Sequence, residues 1–163
     1  MVLYIAREIR IALVGQDGAE FGGSEQSKLY NIILGLMNEY DYIEFNTGYG
    51  NAFERTASDI AKNLLLALTN KTGAINLWLP YKTPEHVQNR RYYEAFFDWI
   101  LFCSKKKKRS ALKKRDKELI KYSDLIIFYM PNGRLAVRQM KLAQRQKKRY
   151  INIAENVQSS ISN

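Results

Sequence analysis

The sequence predicts an α/β protein in which helices cover both faces of a mostly parallel five-stranded sheet. From residue 10 onward, short apolar runs alternate with longer segments of helical period, as expected of βαβ units. Seven of the nine glycines follow three of these runs, within residues 15–23 and 48–50 and at position 133. A length of 163 residues, with 46% hydrophobic residues, suits one domain with one core. We expect that core at about residues 9–153 and a frayed tail at 154–163.

The hydrophobic pattern places each element along the chain. Ser24 is the expected N-cap of the first helix. The apolar run 125–130 is typical of a central parallel strand. A doubly wound sheet of order 3-2-1-4-5 would bring Gly15 and Gly133 face to face at the switch point. The strands are expected at 10–14, 42–46, 74–79, 125–130 and 150–153, and the helices at 24–39, 51–68, 87–102, 111–121 and 134–146.

Composition narrows the class of protein. The longest apolar runs are too short to span a bilayer, and the N-terminus lacks the pattern of a secretory signal, so we expect a cytoplasmic protein with no membrane partner. Cys103 and His86 are the only cysteine and the only histidine, which excludes an internal disulfide and a zinc cluster of these residue types. A Cys-His nucleophile has no supporting pattern. We expect no metal site and no required cofactor.

Positive charge is concentrated in one part of the chain. Residues 105–149 hold 17 of the 26 lysines and arginines against three acidic residues, a local charge of +14 in a chain of net charge +10. The basic run 105–109, followed by Lys113, Lys114 and Arg115, lacks glycine-rich or strongly aromatic interleaving, so a solvated face is the simpler interpretation. Binding of nucleic acid through phosphate contacts is the alternative. Its candidate residues are Lys105, Lys106, Lys107, Lys108, Arg109, Lys113 and Lys114.

The glycine clusters indicate a ligand crevice at the carboxyl ends of the strands, where backbone N–H groups and helix N-termini converge. The first cluster matches neither the dinucleotide fingerprint nor the Walker pattern, which disfavours hydride transfer and P-loop phosphoryl transfer. A flexible connection without a ligand is the alternative interpretation. The candidate ligand-binding residues are Gly15, Gln16, Asp17, Gly18, Thr47, Gly48, Tyr49, Gly50, Pro131, Asn132, Gly133 and Arg134.

Glu54 is the candidate catalytic residue. It follows the second glycine cluster by about one helical turn, where a carboxylate could bond a sugar hydroxyl or act as nucleophile or base in N-glycoside cleavage. The same position would also let it offset the helix dipole without any chemistry. The sequence leaves both roles open.

Three segments together resemble a known group of proteins. They are the first strand running into Gly15, the Thr47-Gly48 turn that continues to Ala57, and a stretch with Arg115-Asp116 and Ser123-Asp124 entering a strand. These segments are similar to the SLOG superfamily of Rossmann-like proteins, which includes DprA-type DNA-processing proteins, LOG phosphoribohydrolases and YpsA-like proteins. The YpsA-like branch is the nearest match. The resemblance implies a Rossmann-like nucleotide-binding domain.

The motif that marks the LOG enzymes, Pro-Gly-Gly-x-Gly-Thr followed by Glu, is absent at residues 131–137, which disfavours that activity. We therefore expect a protein that binds a nucleotide or nucleotide-derived ligand, with phosphate at the glycine loops and ribose at Asp17 or Glu54. Two alternatives stay open. One is an N-glycosidase or deoxyribosyltransferase acting on nucleoside monophosphates through Glu54, and the other is a DprA-like binder of single-stranded nucleic acid. Aromatic residues at 92–99 suit either the core or the surface of a homodimer.

Overall fold

Residues 3–154, which the computed structural model describes, form one six-stranded parallel sheet with helices on both faces. The strand order is β4-β3-β2-β1-β5-β6. The strands are β1 Glu8–Gly15, β2 Tyr42–Thr47, β3 Thr72–Leu79, β4 Trp99–Phe102, β5 Leu125–Tyr129 and β6 Arg149–Asn152. The helices are α1 Gly23–Glu39, α2 Ala52–Ala67, α3 Pro84–Gln88, α4 Arg90–Phe96, α5 Ala111–Tyr122 and α6 Gly133–Arg145. Of the tail expected at 154–163, residues 155–163 lie outside the described residues.

The prediction of five strands in the order 3-2-1-4-5 is wrong because β4 adds a strand beyond β3. The segment 87–102, predicted as one helix, divides into α3, α4 and β4. Asp98, between α4 and β4, connects the chain to β3. Its N–H donates to the Ile75 carbonyl at 2.8 Å, and its carboxylate accepts from the Ile75 N–H at 2.7 Å. Periodicity could not separate this strand from a helix because four apolar residues in succession suit both.

The N-terminus of α1 also differs from the prediction. Gly22 rather than Ser24 is the N-cap, and no side chain caps the helix. Gly23 adopts a φ of +58°, a left-handed conformation that glycine reaches without steric cost. The helix therefore begins one residue earlier than the serine indicated.

The core occupies both faces of the sheet. Along β1, Ile11 and Leu13 pack into the cluster under α1 and α2, whereas Ala12 and Val14 pack into the cluster under α5 and α6. Both sets are almost completely buried. A central parallel strand covered on both faces explains the unbroken apolar runs in the sequence.

The parallel arrangement determines where the loops meet. β1 ends at Gly15, which pairs with Tyr129 at the end of β5, and Leu13 pairs with Thr47 at the end of β2. The loops that follow these strands therefore leave the same edge of the sheet. This carboxyl edge contains all three glycine clusters. Among the described residues, no helix has the length and apolar character needed to cross a membrane.

Candidate functional site

Glu54 connects two of the glycine loops at the carboxyl edge. It lies in the first turn of α2, and only 3% of the residue is exposed. Its Oε1 accepts a hydrogen bond from the Gly15 N–H at 3.2 Å, and its Oε2 accepts one from the Gly50 N–H at 2.7 Å. The predicted convergence of the first two glycine clusters is therefore present, with the Glu54 carboxylate between them.

Asn51, the N-cap of α2, completes this junction. Its Oδ1 accepts from the Glu54 N–H at 3.0 Å, and its Nδ2 donates to Asp17 Oδ1 at 3.3 Å. A Cβ added at Gly15 would overlap Asn51 Oδ1 and lie 2.9 Å from the Cβ of Phe53. Only glycine lets the end of β1 approach the start of α2 this closely.

Arg115 of α5 reaches across the carboxyl edge to the same junction. Its Nε and Nη2 donate to Asp116 Oδ1 at 3.1 and 2.8 Å. Its guanidinium covers Gly48, where an added Cβ would lie 3.0 Å from Cζ and 3.3 Å from Glu54 Oε2. Arg115 is not among the site residues that the glycine clusters predict. The signal was the Arg115-Asp116 pair in the segment that carries the SLOG resemblance.

Burial and charge oppose each other at this junction. Burial raises the pKa of Glu54 above its ordinary value, while Arg115 and the two backbone N–H groups lower it. Burial lowers the pKa of Arg115, but Asp116 and Glu54 outweigh burial and leave it raised. The Glu54 carboxylate thus occupies the position where the N–H groups of Gly15 and Gly50 would otherwise meet an external anion.

Tyr49 faces an aromatic cluster. It has a φ of 53°, and its N–H donates to Oγ1 of the fully buried Thr47 at 3.0 Å. Its ring lies edge-on to Phe97 at 5.3 Å, and its hydroxyl lies 2.9 Å from that of Tyr92. Burial, together with the hydrogen bond to Tyr92, raises the pKa of Tyr49. The ring therefore packs against α4, an environment that differs from the open face a stacking base would need.

The third glycine cluster meets the first across β1 and β5. Gln16 Oε1 accepts from the Asn132 N–H at 2.9 Å, and Asn132 Oδ1 accepts from the Arg134 N–H at 3.0 Å as the N-cap of α6. A Cβ at Gly18 or at Gly133 would meet no atom of residues 3–154 within 4 Å, so this part of the chain leaves the backbone open there. The first turn of α6 contains no acidic residue, and Arg134 is exposed. Together with Pro131, these residues form an accessible wall with a positive charge.

A cavity of about 160 Å³ lies beyond Gly48, above the carboxyl ends of β2 and β3. We call it the β2–β3 cavity. His86 of α3 is 5% exposed and lines it, and its Nδ1 has no hydrogen-bond partner among the described residues. Burial and the charge of Lys82 lower the pKa of His86. The cavity is lined by Gly48, Tyr49, Gly50, Leu77, Leu79, Pro80, Thr83, Glu85, His86, Tyr93 and Arg115.

The sequence supports neither a zinc site at His86 nor a Cys-His nucleophile, and in the structure Cys103 lies in a different depression from His86. Nothing in the sequence pattern marked the histidine because its place depends on the end of β3 and on α5, which are distant along the chain. Within residues 3–154, no group of three or more His, Cys, Asp or Glu side chains lies close enough to hold a metal ion.

The basic flank contains two grooves that share α5. The β4 groove has a volume of about 710 Å³ and the α6 groove one of about 410 Å³. Of the predicted nucleic-acid residues, Lys107 and Arg109 line neither groove. The β4 groove is lined by Phe102, Cys103, Ser104, Lys105, Lys106, Lys108 and Lys114. The α6 groove is lined by Leu112, Lys113, Asp116, Lys117, Arg138, Gln139, Lys141, Leu142 and Arg145.

Comparison with known proteins identifies the fold. No protein-family model and no curated protein sequence matches the chain. Among solved structures, DNA processing protein A from Helicobacter pylori, studied for its single-stranded DNA binding mode, matches with a TM-score of 0.60 at 13% identity, over 94% of this chain and 69% of that one. The molybdenum cofactor carrier protein from Chlamydomonas reinhardtii matches with a TM-score of 0.57 at 14% identity. That match covers 88% of this chain and 75% of the carrier protein.

These matches show a shared three-layer α/β fold, which agrees with the Rossmann-like fold that the SLOG resemblance implied. At 13% and 14% identity they show the fold alone. The YpsA-like branch stays a prediction.

Proposed function

We propose that the protein binds a nucleotide or a nucleotide-derived molecule at the carboxyl edge, with the phosphate at the N-terminus of α6. The observation that carries the proposal is the Gln16–Asn132 hydrogen bond of 2.9 Å. It joins the loops after β1 and β5 at the switch point of the sheet, where doubly wound proteins bind their ligands. The open backbone at Gly133 and the Arg134 side chain suit an anion, and the helix dipole adds to both.

The second glycine loop has a different role in this proposal. Two N–H groups have partners within the protein at each loop, those of Tyr49 and Gly50 here and those of Asn132 and Arg134 at α6. The difference is the Glu54 carboxylate, which opposes a phosphate at the second loop, whereas the first turn of α6 contains no acidic residue. Asp17 is exposed and uses one carboxylate oxygen for Asn51, which leaves the other for a ribose hydroxyl. We place the ribose beside Asp17 and the phosphate beside Arg134.

Binding is favoured over N-glycoside cleavage because of the contacts of Glu54. A nucleophile or general base needs an accessible lone pair directed at the substrate. Both Glu54 oxygens instead accept backbone hydrogen bonds, and the residue is almost completely buried. We therefore propose that Glu54 holds the loops in position.

Calorimetric titration with a panel of nucleoside mono-, di- and cyclic phosphates tests the proposal. At least one should bind, and Arg134→Ala should weaken that binding by roughly ten-fold or more because a charged hydrogen bond is lost. Arg138→Ala is the matched control, since it removes the same charge one turn further along α6. Failure of every nucleotide to bind, or equal losses in the two variants, would contradict the proposal.

A second candidate function is binding of single-stranded nucleic acid along the basic flank. Lys113 and Lys114 are neighbours on α5 yet line different grooves, so positive charge continues from one groove to the other. Phe102 is 38% exposed and offers a face for a base. Cationic grooves with aromatic faces are the usual features of such sites. The fold shared with a protein studied for single-stranded DNA binding supports the same candidate.

Paired charge variants test this candidate. Lys105→Gln with Lys106→Gln alters the β4 groove, whereas Lys107→Gln with Arg109→Gln removes the same charge from residues that line neither groove. Affinity for a labelled oligothymidine should fall more in the first pair, because its charges lie where the strand would run. An equal fall in both pairs would indicate attraction to the general surface charge.

A further inference from the structure

The β2–β3 cavity has the size of a single ring. Its volume of about 160 Å³ corresponds to about five water molecules at ~30 Å³ each. Sites that enclose a whole drug-sized ligand are larger, at about 300–1,000 Å³. The cavity therefore suits one part of a nucleotide, and its chemistry indicates which part.

The walls of the cavity combine apolar and polar surfaces. Leu77, Leu79, Pro80 and Tyr93 supply apolar and aromatic contact. Glu85 supplies an acceptor at one place, although its Oε1 already accepts from the Tyr93 hydroxyl at 2.9 Å. Mostly apolar walls with a few polar groups are typical of sites that orient a flat heteroaromatic ring.

His86 provides an independent sign of a ligand. Its imidazole is held parallel to Tyr93 at a centroid distance of 5.6 Å and edge-on to Phe102 at 5.2 Å. Only 5% of the residue is exposed, and its Nδ1 has no partner in the part of the chain that the structure describes. Buried polar atoms in proteins almost always have a partner, so we expect a ligand group or a bound water to pair with this nitrogen.

The charges around the cavity disfavour a phosphate there. Among the described residues, Arg115 is the one cation that lines it, and that side chain interacts with the carboxylates of Asp116, Glu54 and Asp17. Lys82 acts on His86 but does not line the cavity. His86 is neutral at pH 7 because its pKa lies below the ordinary value. Glu85 adds a further negative charge. A neutral ring that both donates and accepts hydrogen bonds fits these surroundings better than an anion does.

We infer that the β2–β3 cavity is the nucleobase subsite of the ligand whose phosphate lies at α6. This inference rests on the proposed function and adds the position of the base. Neighbouring strands are about 4.8 Å apart, so the interval from β5, which precedes α6, to a point between β2 and β3 is roughly 12 Å. An extended nucleoside monophosphate spans such an interval, with its ribose beside Asp17.

Two variants change the cavity without touching the phosphate wall. Leu79→Phe fills it from the end of β3. His86→Phe keeps the aromatic packing on Tyr93 and Phe102 but removes the ring nitrogens. Thermal unfolding of both variants establishes that they fold.

Calorimetry of each variant with nucleoside monophosphates, free nucleosides and ribose 5-phosphate tests the inference. The best-bound monophosphate should lose about ten-fold in affinity with either variant, since a hydrogen bond or the space for the ring is lost. Ribose 5-phosphate should bind both variants as it binds the unaltered protein. If His86 had only a structural role, His86→Phe would lower the unfolding temperature but would not weaken the monophosphate selectively over ribose 5-phosphate.

The outcomes separate the inference from the proposed function. If monophosphates bind and both variants leave their affinity unchanged, the base subsite is wrong and the phosphate site stands. If nucleosides bind in the cavity but phosphate adds nothing, the subsite stands and the phosphate assignment is wrong. If no compound of the three classes binds, both are wrong.

Discussion

Glu54 gives the carboxyl edge its local structure. A buried carboxylate is costly unless it is hydrogen-bonded, and Glu54 meets that condition with one backbone N–H from each of two loops. Arg115 supplies the opposite charge from the other face of the sheet. One side chain therefore connects the ends of β1 and β2 with α2 and α5.

Glu54→Gln should destabilise the protein by about 1–3 kcal/mol, because an amide N–H would face a backbone N–H and leave it unsatisfied. Urea unfolding measures the change. Asp59→Asn is the control, since it removes the same charge from an exposed position on α2 and should alter stability by no more than about 0.5 kcal/mol. Unchanged stability in Glu54→Gln, together with loss of free-base release from a nucleoside monophosphate, would instead support the N-glycosidase alternative.

Gly15→Ala should destabilise the protein by about 1–3 kcal/mol, since the new methyl group would overlap Asn51 and crowd Phe53. Gly35→Ala provides the comparison. That position is exposed within α1 and has no neighbour within 4 Å, so alanine should stabilise the helix by roughly 0.5–1 kcal/mol. The two unfolding free energies should change in opposite directions. Changes of the same sign would show that the Gly15 contact is not close.

At the scale of elements, the sequence predicted the main βαβ units because their apolar runs and helical periods are long. Their bounds agree with the structure to within two residues, as α5 and β5 illustrate. The prediction of one helix at 87–102 was wrong because the apolar residues of this segment suit a helix as well as a strand. The candidate site was predicted in part, since the glycines marked the loops. Arg115 and His86 were missed because their places depend on contacts distant in sequence.

The environment of α3 makes stability depend on pH through His86. His86 is protonated at lower pH in the folded protein than in the unfolded chain, because its pKa is lowered in the fold. The unfolded state therefore binds more protons below about pH 6.5. As the pH decreases below about 6.5, the free energy of unfolding should therefore decrease, by at most about 1.4 kcal/mol per pH unit. Above about pH 6.5 the contribution is fully present.

Urea unfolding at pH 7.5, 6.5 and 5.5 checks the expectation. His86 is the only histidine, so His86→Phe removes the one imidazole that titrates in this interval. The variant should show a shallower decline than the unaltered protein. Equal declines would assign the dependence to carboxylates.

At the scale of the whole molecule, positive charge is concentrated on one flank of the surface. The net charge of +10 arises from one flank, and nine lysines and arginines of that flank line the two grooves. The proposed nucleotide site lies at the carboxyl edge, where Asp17 and Glu54 balance Arg115. The nucleotide site uses Arg134 from this flank, whereas the oligonucleotide site uses the nine cations of the two grooves, so the two candidates differ in the number of cations that they engage.

Salt dependence should distinguish them. For single-stranded nucleic acid, the logarithm of the affinity falls with the logarithm of salt concentration by about 0.7 per phosphate contacted, so full use of the nine cations would give a slope near −6. A mononucleotide has no condensed layer of counterions to release, so its affinity at α6 should change much less with salt. Fluorescence anisotropy with labelled oligonucleotides, and calorimetry with mononucleotides, at several salt concentrations measure both. A shallow slope for oligonucleotides would exclude extended contact with the grooves.

The edge position of β4 has a consequence for how the protein behaves in solution. Trp99, Leu101 and Phe102 are each more than a third exposed on this outermost strand, and such edges invite pairing with another chain. The lysines at 105–108, which begin three residues after the end of β4, repel a second copy, and added salt screens that repulsion. Self-association through the edge should therefore increase with ionic strength, while attraction of a polyanion decreases. Concentrated solutions of the protein should therefore stay monodisperse at low ionic strength, where the lysines repel the β4 edge of a second copy.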